Sequence, residues 1–320
     1  MASKTRRCLS AAFKNSILNM TTPTKPLPDS SNAVARDLWW VASSPPLMAD
    51  VARLPQHNET QQLALQALLR PAVDQLAAMT LEDAMATVGV KGWRVGNYFE
   101  ALVAYWLRQL PGWRLLAANH PVRQDKRTLG AYDFIVRNAE RRAEHWEVAV
   151  KFYLLRGDPT DWRNWVGPNQ RDRLDKKVNR MRDHQLVLSR REVGRDALQD
   201  LEVTDIYQQF VVLKGYFFTE WGTPSTGPVN ATRHAEGRWA EVDRIPDLRH
   251  AFPDSRWVRR DKPFWLAPLH RVRLESDKGQ LPTHVQRPEM WARMSPLPDG
   301  SWDEVERWFL LPKHWRDHRA

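Results

Sequence analysis

The amino-acid sequence predicts an α/β fold whose core runs helix, strand, strand, strand, helix, strand. Three observations predict this order. Apolar residues in the stretch 94–110 recur at three- and four-residue steps, as on one face of a helix. From residue 113 to 155 the period shortens, and apolar runs are separated by short polar connections. A helical period returns after residue 172, followed by one more apolar run at 207–218.

The composition narrows the class of protein. The chain has 320 residues, of which 42% are hydrophobic and 16 are tryptophan, so it can bury a substantial core. No apolar stretch approaches the roughly 18–20 residues that a membrane span needs, so we expect no membrane partner. The single cysteine, Cys8, allows neither an internal disulfide nor a cysteine-based zinc site. This usage fits a reducing compartment, and we expect a cytoplasmic protein.

Basic charge is concentrated in two segments. The net charge is +10, and residues 1–28 contribute five Lys and Arg without any acid. Between Arg156 and Arg195 there are eleven Lys and Arg against six Asp and Glu. An excess of this kind favours a polyanionic partner, and we expect DNA or RNA.

Four segments are predicted along the chain. Residues 1–30 read as a disordered basic tail, whose composition also resembles an organelle transit peptide; a start at Met20 is a further alternative. Residues 31–88 read as an N-terminal helical segment packed on the core, with one or two helices from Thr60 to Met85 interrupted near Pro71. The α/β core covers 89–220, and a Trp/Pro-rich extension with a few strands covers 221–320.

Within the core, each element has its own signal. The first helix places Val95, Phe99, Leu102, Val103, Trp106 and Leu110 on one stripe and ends at Pro111-Gly112. Apolar runs at 113–122, TLGAYDFIV and HWEVAVKFYLL predict three strands, the last two joined by the polar connection RNAERRAE. GDPTDWRNWVGPN reads as a loop. The second helix carries the stripe Leu174, Val178, Met181 and Gln185.

Two of these strands carry charges that need an explanation. Asp133 lies in the first, and Glu147 and Lys151 lie in the second, although burying an unpaired charge costs several kcal/mol. Glu147, Ala149 and Lys151 share one face because side chains alternate along a strand. Glu147 and Lys151 are about 13 Å apart, too far for a direct salt bridge. One face of a small sheet would therefore present Asp, Glu and Lys together.

Two carboxylates and a lysine suit metal-assisted hydrolysis of phosphodiesters. The carboxylates would hold Mg²⁺ or Mn²⁺, and the lysine would orient water or offset developing charge. Glu100 is a further candidate, since its helix neighbours Gly96 and Ala104 are small and leave room for the carboxylate to reach the sheet. The alternative is that these charges are solvated strand-edge residues.

The helix bearing Glu100, followed by strands bearing Asp133 and the Glu147/Lys151 pair, resembles the core of PD-(D/E)XK nucleases. The stretches LWWVASSPPLM, GNYFEALVAYWL, RTLGAYDFIV, HWEVAVKFYLL and GPNQRDRLDKKVNRMRDHQL are together similar to the bacterial domain-of-unknown-function family 1853. The likeness covers most of residues 35–220 and, more loosely, the Trp-rich end. It implies the fold and the motif more directly than an activity.

The resemblance implies roles for individual residues. Asp133 matches the motif aspartate and Lys151 the motif lysine, but Ala149 stands where the second acid belongs. Glu147 keeps the correct face about 7 Å further along the strand. We therefore expect Asp133 and Glu147 as metal ligands, assisted by Glu100, with Lys151 positioning water. The departure at Ala149 leaves open a site that binds metal poorly and cleaves nothing.

The second helix supplies the strongest basic element. Arg173, Lys176, Lys177 and Arg180 form a cationic stripe that could follow a phosphate backbone, and Gln170 is a candidate contact to the substrate. The alternative is a solvated helix in which Asp172, Asp175 and Asp183 pair with these cations. The sequence thus predicts a metal-dependent nuclease. A non-catalytic nucleic-acid-binding module and a structural scaffold with a buried charge network are the alternatives.

Overall fold

The computed structural model describes residues 32–49, 54–125, 127–231, 236–274 and 279–317. The expected tail 1–30 and Cys8 lie outside the described residues. The described helices are α1 Ala33–Ser43, α2 Glu59–Ala77, α3 Leu81–Val88, α4 Val95–Gln109, α5 Leu174–Arg180, α6 Glu192–Gln199 and α7 Ile245–Ala251. The described strands are β1 Arg114–Gln124, β2 Arg127–Arg137, β3 Ala143–Leu155, β4 Trp165–Val166, β5 Gln208–Glu220, β6 Glu236–Glu241, β7 Arg256–Arg260, β8 Glu289–Pro296 and β9 Trp302–Leu311.

All of these strands join one mixed sheet in the order β1-β2-β3-β5-β6-β9-β8-β7, with the short β4 paired to the end of β3. β1, β2 and β3 are antiparallel neighbours. β3, β5, β6 and β9 are parallel to one another. At the far edge of the sheet, β8 is antiparallel to β9 and β7 is antiparallel to β8. The expected mixed α/β class is confirmed. The Trp-rich end continues the sheet across residue 220, because β6 pairs directly with β5.

The helices before the core depart from expectation at one point. α2 runs through Pro71 without a break and ends only at Ala77. The expected interruption near Pro71 is therefore wrong. Pro71 is exposed, so the carbonyl that loses its partner one turn earlier lies on the solvent side of the helix. The helical conformation ends instead between α2 and α3, where Asn32 donates its side-chain amide to the carbonyl of Met79, 3.0 Å away.

The two faces of β3 are both covered. Val148, Val150 and Phe152 pack in the cluster that contains the buried side of α4. Ala149 and Tyr153 face the other cluster, which contains Leu174, Val178 and Met181 of the α5 segment. The expected alternation along this strand is confirmed. Glu147, Ala149 and Lys151 thus share the α5 face of the sheet.

The second helix of the core is shorter than its sequence period indicates. α5 ends at Arg180, and residues Met181–Gln185 form a π-helical turn in which the Leu186 amide donates to the Met181 carbonyl at 2.9 Å. Within the described part of the chain, no helix combines the length and the apolar character needed to cross a membrane.

Candidate functional site

β2 and β3 diverge at the point where their charged residues lie. The two strands pair only through Phe134–Arg137 of β2 and Ala143–Trp146 of β3. Before Phe134, β2 pairs with β1; after Trp146, β3 pairs with β5. Asp133 and Glu147 are the next residues on either side, so they lie opposite each other where the strands separate. We call this point the fork. β1 and β2 shift register between Leu115 and Ala117 and between Val122 and Arg123, and irregularities of this kind increase the local twist of a sheet.

The carboxyl groups of Asp133 and Glu147 are in hydrogen-bond contact at the fork. Asp133 Oδ2 also accepts a hydrogen bond from the Val148 amide at 2.9 Å, which fixes its direction. Glu147 is fully buried. Its Oε1 lies 2.6 Å from His145 Nε2, and its Oε2 accepts from the side-chain amide of Gln185. Two carboxyls therefore share one confined place, and their direct partners among the described residues are neutral.

The burial of these two carboxyls raises the pKa of both. Burial, followed by the charge of Glu147, raises the pKa of Asp133 to about 7. Burial also raises the pKa of Glu147 to about 7, against the opposing effects of the Asp133 hydrogen bond and the charge of Lys177. Near neutral pH the pair therefore tends to hold one proton between two carboxyls.

His145 supports the charged form of Glu147. Burial lowers the pKa of His145 to about 4, so its ring is neutral at pH 7. The Gln209 amide lies 3.4 Å from His145 Nδ1, which makes Nδ1 the acceptor and places the ring proton on Nε2, facing Glu147. His145 was not among the residues predicted from the sequence. Its only signal was a position two residues before Glu147, on the same face of the strand.

Lys151 lies further along the same face but does not reach the carboxyl pair. Its ammonium forms an ion pair with Asp172 Oδ2 at 2.6 Å, with the two side chains 28% and 38% exposed. Gly215 of β5 allows the backbone to approach Lys151 closely, because a Cβ at that position would lie 1.7 Å from the Lys151 carbonyl oxygen. Lys151, which the resemblance matches to the motif lysine, is thus paired with Asp172, a loop aspartate that was expected only to pair with the basic stripe of the helix.

Lys177 of α5 is a cation that faces the fork, and the charge of Arg180 on the same helix also acts on Glu147. Leu174, three residues earlier, and Met181, four residues later, are fully buried, so this face of the helix points at the sheet. The charge of Lys177 acts on Asp133 and on Glu147. Its Nζ lies 3.5 Å from Gln185 Oε1, and Gln185 in turn donates to Glu147. Burial, followed by the charge of Lys151, lowers the pKa of Lys177.

Glu100 approaches the fork from α4, on the other face of the sheet. Its Oε2 accepts from the Asn119 amide of β1 at 3.3 Å. Burial raises its pKa, and the charge of Asp133 adds to that rise while Lys177 opposes it. A Cβ on Gly96 would meet no atom within 4 Å, in keeping with the expected open space one turn before Glu100. Glu100 therefore belongs to the same electrostatic cluster.

The other predicted binding residues divide into two groups. Lys176 and Arg180 are exposed on α5. Arg173 is paired with Asp175 at 2.6 Å. Gln170 accepts a hydrogen bond from Arg156 at 2.5 Å and donates one to the Trp315 carbonyl at 2.5 Å. It therefore joins the C-terminal segment to the loop before α5.

The donor set at the fork suits a divalent cation in part. Within the described ranges, no group of three or more His, Cys, Asp and Glu side chains is arranged to hold a metal ion. Glu100 therefore does not complete a ready three-ligand site with Asp133 and Glu147. Mg²⁺ commonly takes one or two carboxylates and keeps several waters. Two carboxyls in contact, each resisting ionisation, provide such a pair, since a cation can replace the shared proton.

Comparison with known proteins identifies the family. The family model described as Domain of unknown function (DUF1853) matches residues 36–311, and the chain belongs to that family. The resemblance expected from the strand and helix motifs is confirmed at this level. No curated protein matches the chain, and no solved structure matches it.

Proposed function

We propose that this member of the DUF1853 family is a divalent-metal-dependent nuclease with a PD-(D/E)XK-like core, hydrolysing phosphodiester bonds of DNA or RNA. One observation carries the proposal: the carboxyls of Asp133 and Glu147 meet at the fork, with lysines on the same face of the sheet. Apart from the short β4 and the helix α6, the elements follow the order α4, β1, β2, β3, α5, β5. This supports the proposal, because it is the order of helices and strands that the resemblance implies.

Roles follow from the positions of the side chains. A Mg²⁺ ion held by Asp133 and Glu147 would polarise a phosphoryl oxygen and make a bound water more acidic. His145 and Gln185 keep Glu147 oriented by hydrogen bonds to its two oxygens. Water adds to phosphorus and loses one proton, the bond from phosphorus to the leaving sugar oxygen breaks, and that oxygen takes up a proton. Lys151 orients the attacking water once its ion pair with Asp172 opens.

The nucleic acid would approach over α5. Lys176 and Arg180 are exposed on that helix, and Lys177 faces the fork beside them. Phosphate contacts of this kind position the substrate without reading its sequence.

A cleavage assay tests the proposal. Purified full-length protein is incubated with labelled single- and double-stranded DNA and RNA in Mg²⁺, Mn²⁺ or EDTA. We expect cleavage that requires metal and falls by roughly 10²-fold or more in Asp133→Asn, since an electrostatic contact made in the transition state is removed. Lys313→Met, which alters an exposed lysine outside the site, serves as the control. Metal-independent cleavage, or full activity in Asp133→Asn, would contradict the proposal.

A second candidate is a nucleic-acid-binding module without catalysis. It is favoured by the engagement of the site residues: Lys151 is paired with Asp172, and both oxygens of Glu147 already have partners. Ala149, where the resemblance implies an acid, favours the same candidate. This candidate predicts salt-sensitive binding that EDTA does not alter, together with no cleavage by folded wild-type protein.

A further inference from the structure

Two lysines lie near the fork, and their surroundings differ. Lys151 has a carboxylate, Asp172, at 2.6 Å. Lys177 instead donates a hydrogen bond to the neutral amide oxygen of Gln185, at the long distance of 3.5 Å. Gln185 thus holds the Lys177 ammonium near the carboxyl pair but, being neutral, does not cancel its positive charge.

The backbone explains why Lys177 points inward. Leu174 and Met181 anchor the same helical face in the core beside β3 and β5. After Arg180 the chain changes to a π-helical turn, which brings Gln185 onto Glu147. π-Helical turns inside α-helices occur frequently at functional sites. Here the turn joins Lys177, Gln185 and Glu147 in one chain of contacts.

Lys177 also differs from Lys151 in the acids on which its charge acts. Its charge acts on Glu100, Asp133 and Glu147, which are the three acids expected to serve the reaction. Lys151 acts on Lys177 by repulsion and is itself held by Asp172. Of these two lysines, the helix residue faces the acids more directly than the strand residue does.

Resting on the nuclease function proposed above, we propose that Lys177, rather than Lys151, is the cation that contacts the phosphate being cleaved. Its ammonium would donate hydrogen bonds to a non-bridging phosphate oxygen, stabilising the charge that develops there without transferring a proton. Gln185 is a positioning residue that links Lys177 to Glu147. Lys151 keeps the role of orienting the attacking water, and before its ion pair opens it holds Asp172 and the loop before α5.

Two readouts on matched variants test this assignment. Lys177→Met and Lys151→Met are compared with wild type and with Lys313→Met for single-turnover cleavage in Mg²⁺. The same proteins, without nucleic acid, are melted across a Ca²⁺ titration. Lys177→Met removes a half-buried charge, so it should remain folded.

We expect Lys177→Met to lower the cleavage rate by roughly 10²- to 10³-fold, and by more than Lys151→Met does. Removing a positive charge beside the carboxyl pair should also move the midpoint of Ca²⁺ stabilisation to lower concentration in Lys177→Met. Lys313→Met should leave both readouts at the wild-type values.

If wild type cleaves and Lys177→Met cleaves equally well, the assignment is overturned while the nuclease function stands. An unchanged Ca²⁺ midpoint in Lys177→Met would likewise show that its charge does not act at the fork. If wild type itself fails to cleave under every condition, the nuclease proposal fails and the assignment falls with it.

Discussion

Two buried clusters of charge in this molecule have opposite electrostatic character. One lies at the fork and contains Asp133 and Glu147; the other lies on β9 and contains Glu304. Glu304 contacts Arg307 at 2.7 Å and Arg260 at 2.9 Å, with all three side chains at most 5% exposed. These two guanidinium groups hold the pKa of Glu304 below its usual value despite complete burial. At the fork, burial raises the pKa of both carboxyls to about 7.

The difference separates a structural network from a candidate site. Around Glu304, Arg260 donates to the carbonyls of Phe264 and Ala267, and Arg307 donates to those of Trp265, Leu266 and Ala267. That network is complete within the protein and fastens the segment before β8 to β9. The carboxyl pair at the fork has neutral donors as its direct partners and a lysine nearby. Carboxyls whose ionisation is disfavoured by burial are suited to bind a cation, or an anionic substrate that brings a cation with it.

The largest effect should come from breaking the complete network. Glu304→Gln leaves Arg260 and Arg307 buried without their carboxylate. We expect a loss of about 3–5 kcal/mol in the free energy of unfolding, measured by denaturant titration. Asp74→Asn, which removes an exposed i,i+4 ion pair with Arg70, should cost only about 0.3–0.5 kcal/mol. An equally small loss in Glu304→Gln would remove the distinction between the two clusters.

The matching substitution at the fork, Asp133→Asn, should stabilise the folded protein rather than destabilise it. The raised pKa values of Asp133 and Glu147 mean that the folded state binds protons more tightly than the unfolded chain. Their contribution to stability is present below about pH 4 and is lost as pH rises through about 7. Asp133→Asn removes one of these groups and should therefore melt at a higher temperature than wild type at pH 8.

That advantage should shrink as the pH falls from 8 to 5, because wild-type Asp133 becomes protonated over this range. Thermal melts of both proteins at half-unit steps of pH measure the effect. If Asp133→Asn melted well below wild type at pH 8, as expected of Glu304→Gln, the fork would be a second structural network.

The smallest effects should come from the exposed cations beside the fork. Lys176→Met and Arg180→Met each remove one candidate phosphate-binding cation without breaking an ion pair between described residues. Binding to double-stranded DNA in EDTA should weaken, and the slope of log affinity against log salt should flatten by about 0.9 for each phosphate that is no longer neutralised. Fluorescence anisotropy over a series of salt concentrations measures this slope. An unchanged slope in both variants would place the nucleic acid elsewhere.

Sequence patterns predicted the frame of the molecule better than the arrangement of its charges. The periods around α4, β2 and β3 are local properties, so the order of elements and the shared face of Glu147 and Lys151 could be expected. Pro71 misled because its position on the exposed side of α2 depends on packing. The strands after residue 220 were expected in small number, but their membership of the same sheet depends on pairing between distant segments.

At the site, the contacts between residues of separate elements were the part that the sequence did not predict. Asp172 and Lys177 were expected on a basic surface helix, yet Asp172 holds Lys151 and Lys177 faces the fork. Gln185 was placed on an apolar stripe, and the π-helical turn brings it to Glu147 instead. Contacts of this kind depend on how a helix is rotated against the sheet, and the spacing of residues does not encode that rotation. The assigned metal ligands stay a prediction.

Titration calorimetry of Mg²⁺ binding in buffers of different ionisation enthalpy tests most directly whether the fork exchanges a proton for a metal ion, since it counts the protons that binding releases. At pH 6.5, where the carboxyl pair should still hold a proton, we expect binding by wild type with release of about one proton. Asp133→Asn should lose both the binding and the release, and Glu304→Gln, if folded, should keep both. Binding without proton release, or no binding by the folded wild-type protein, would contradict an exchange of proton for metal at the fork.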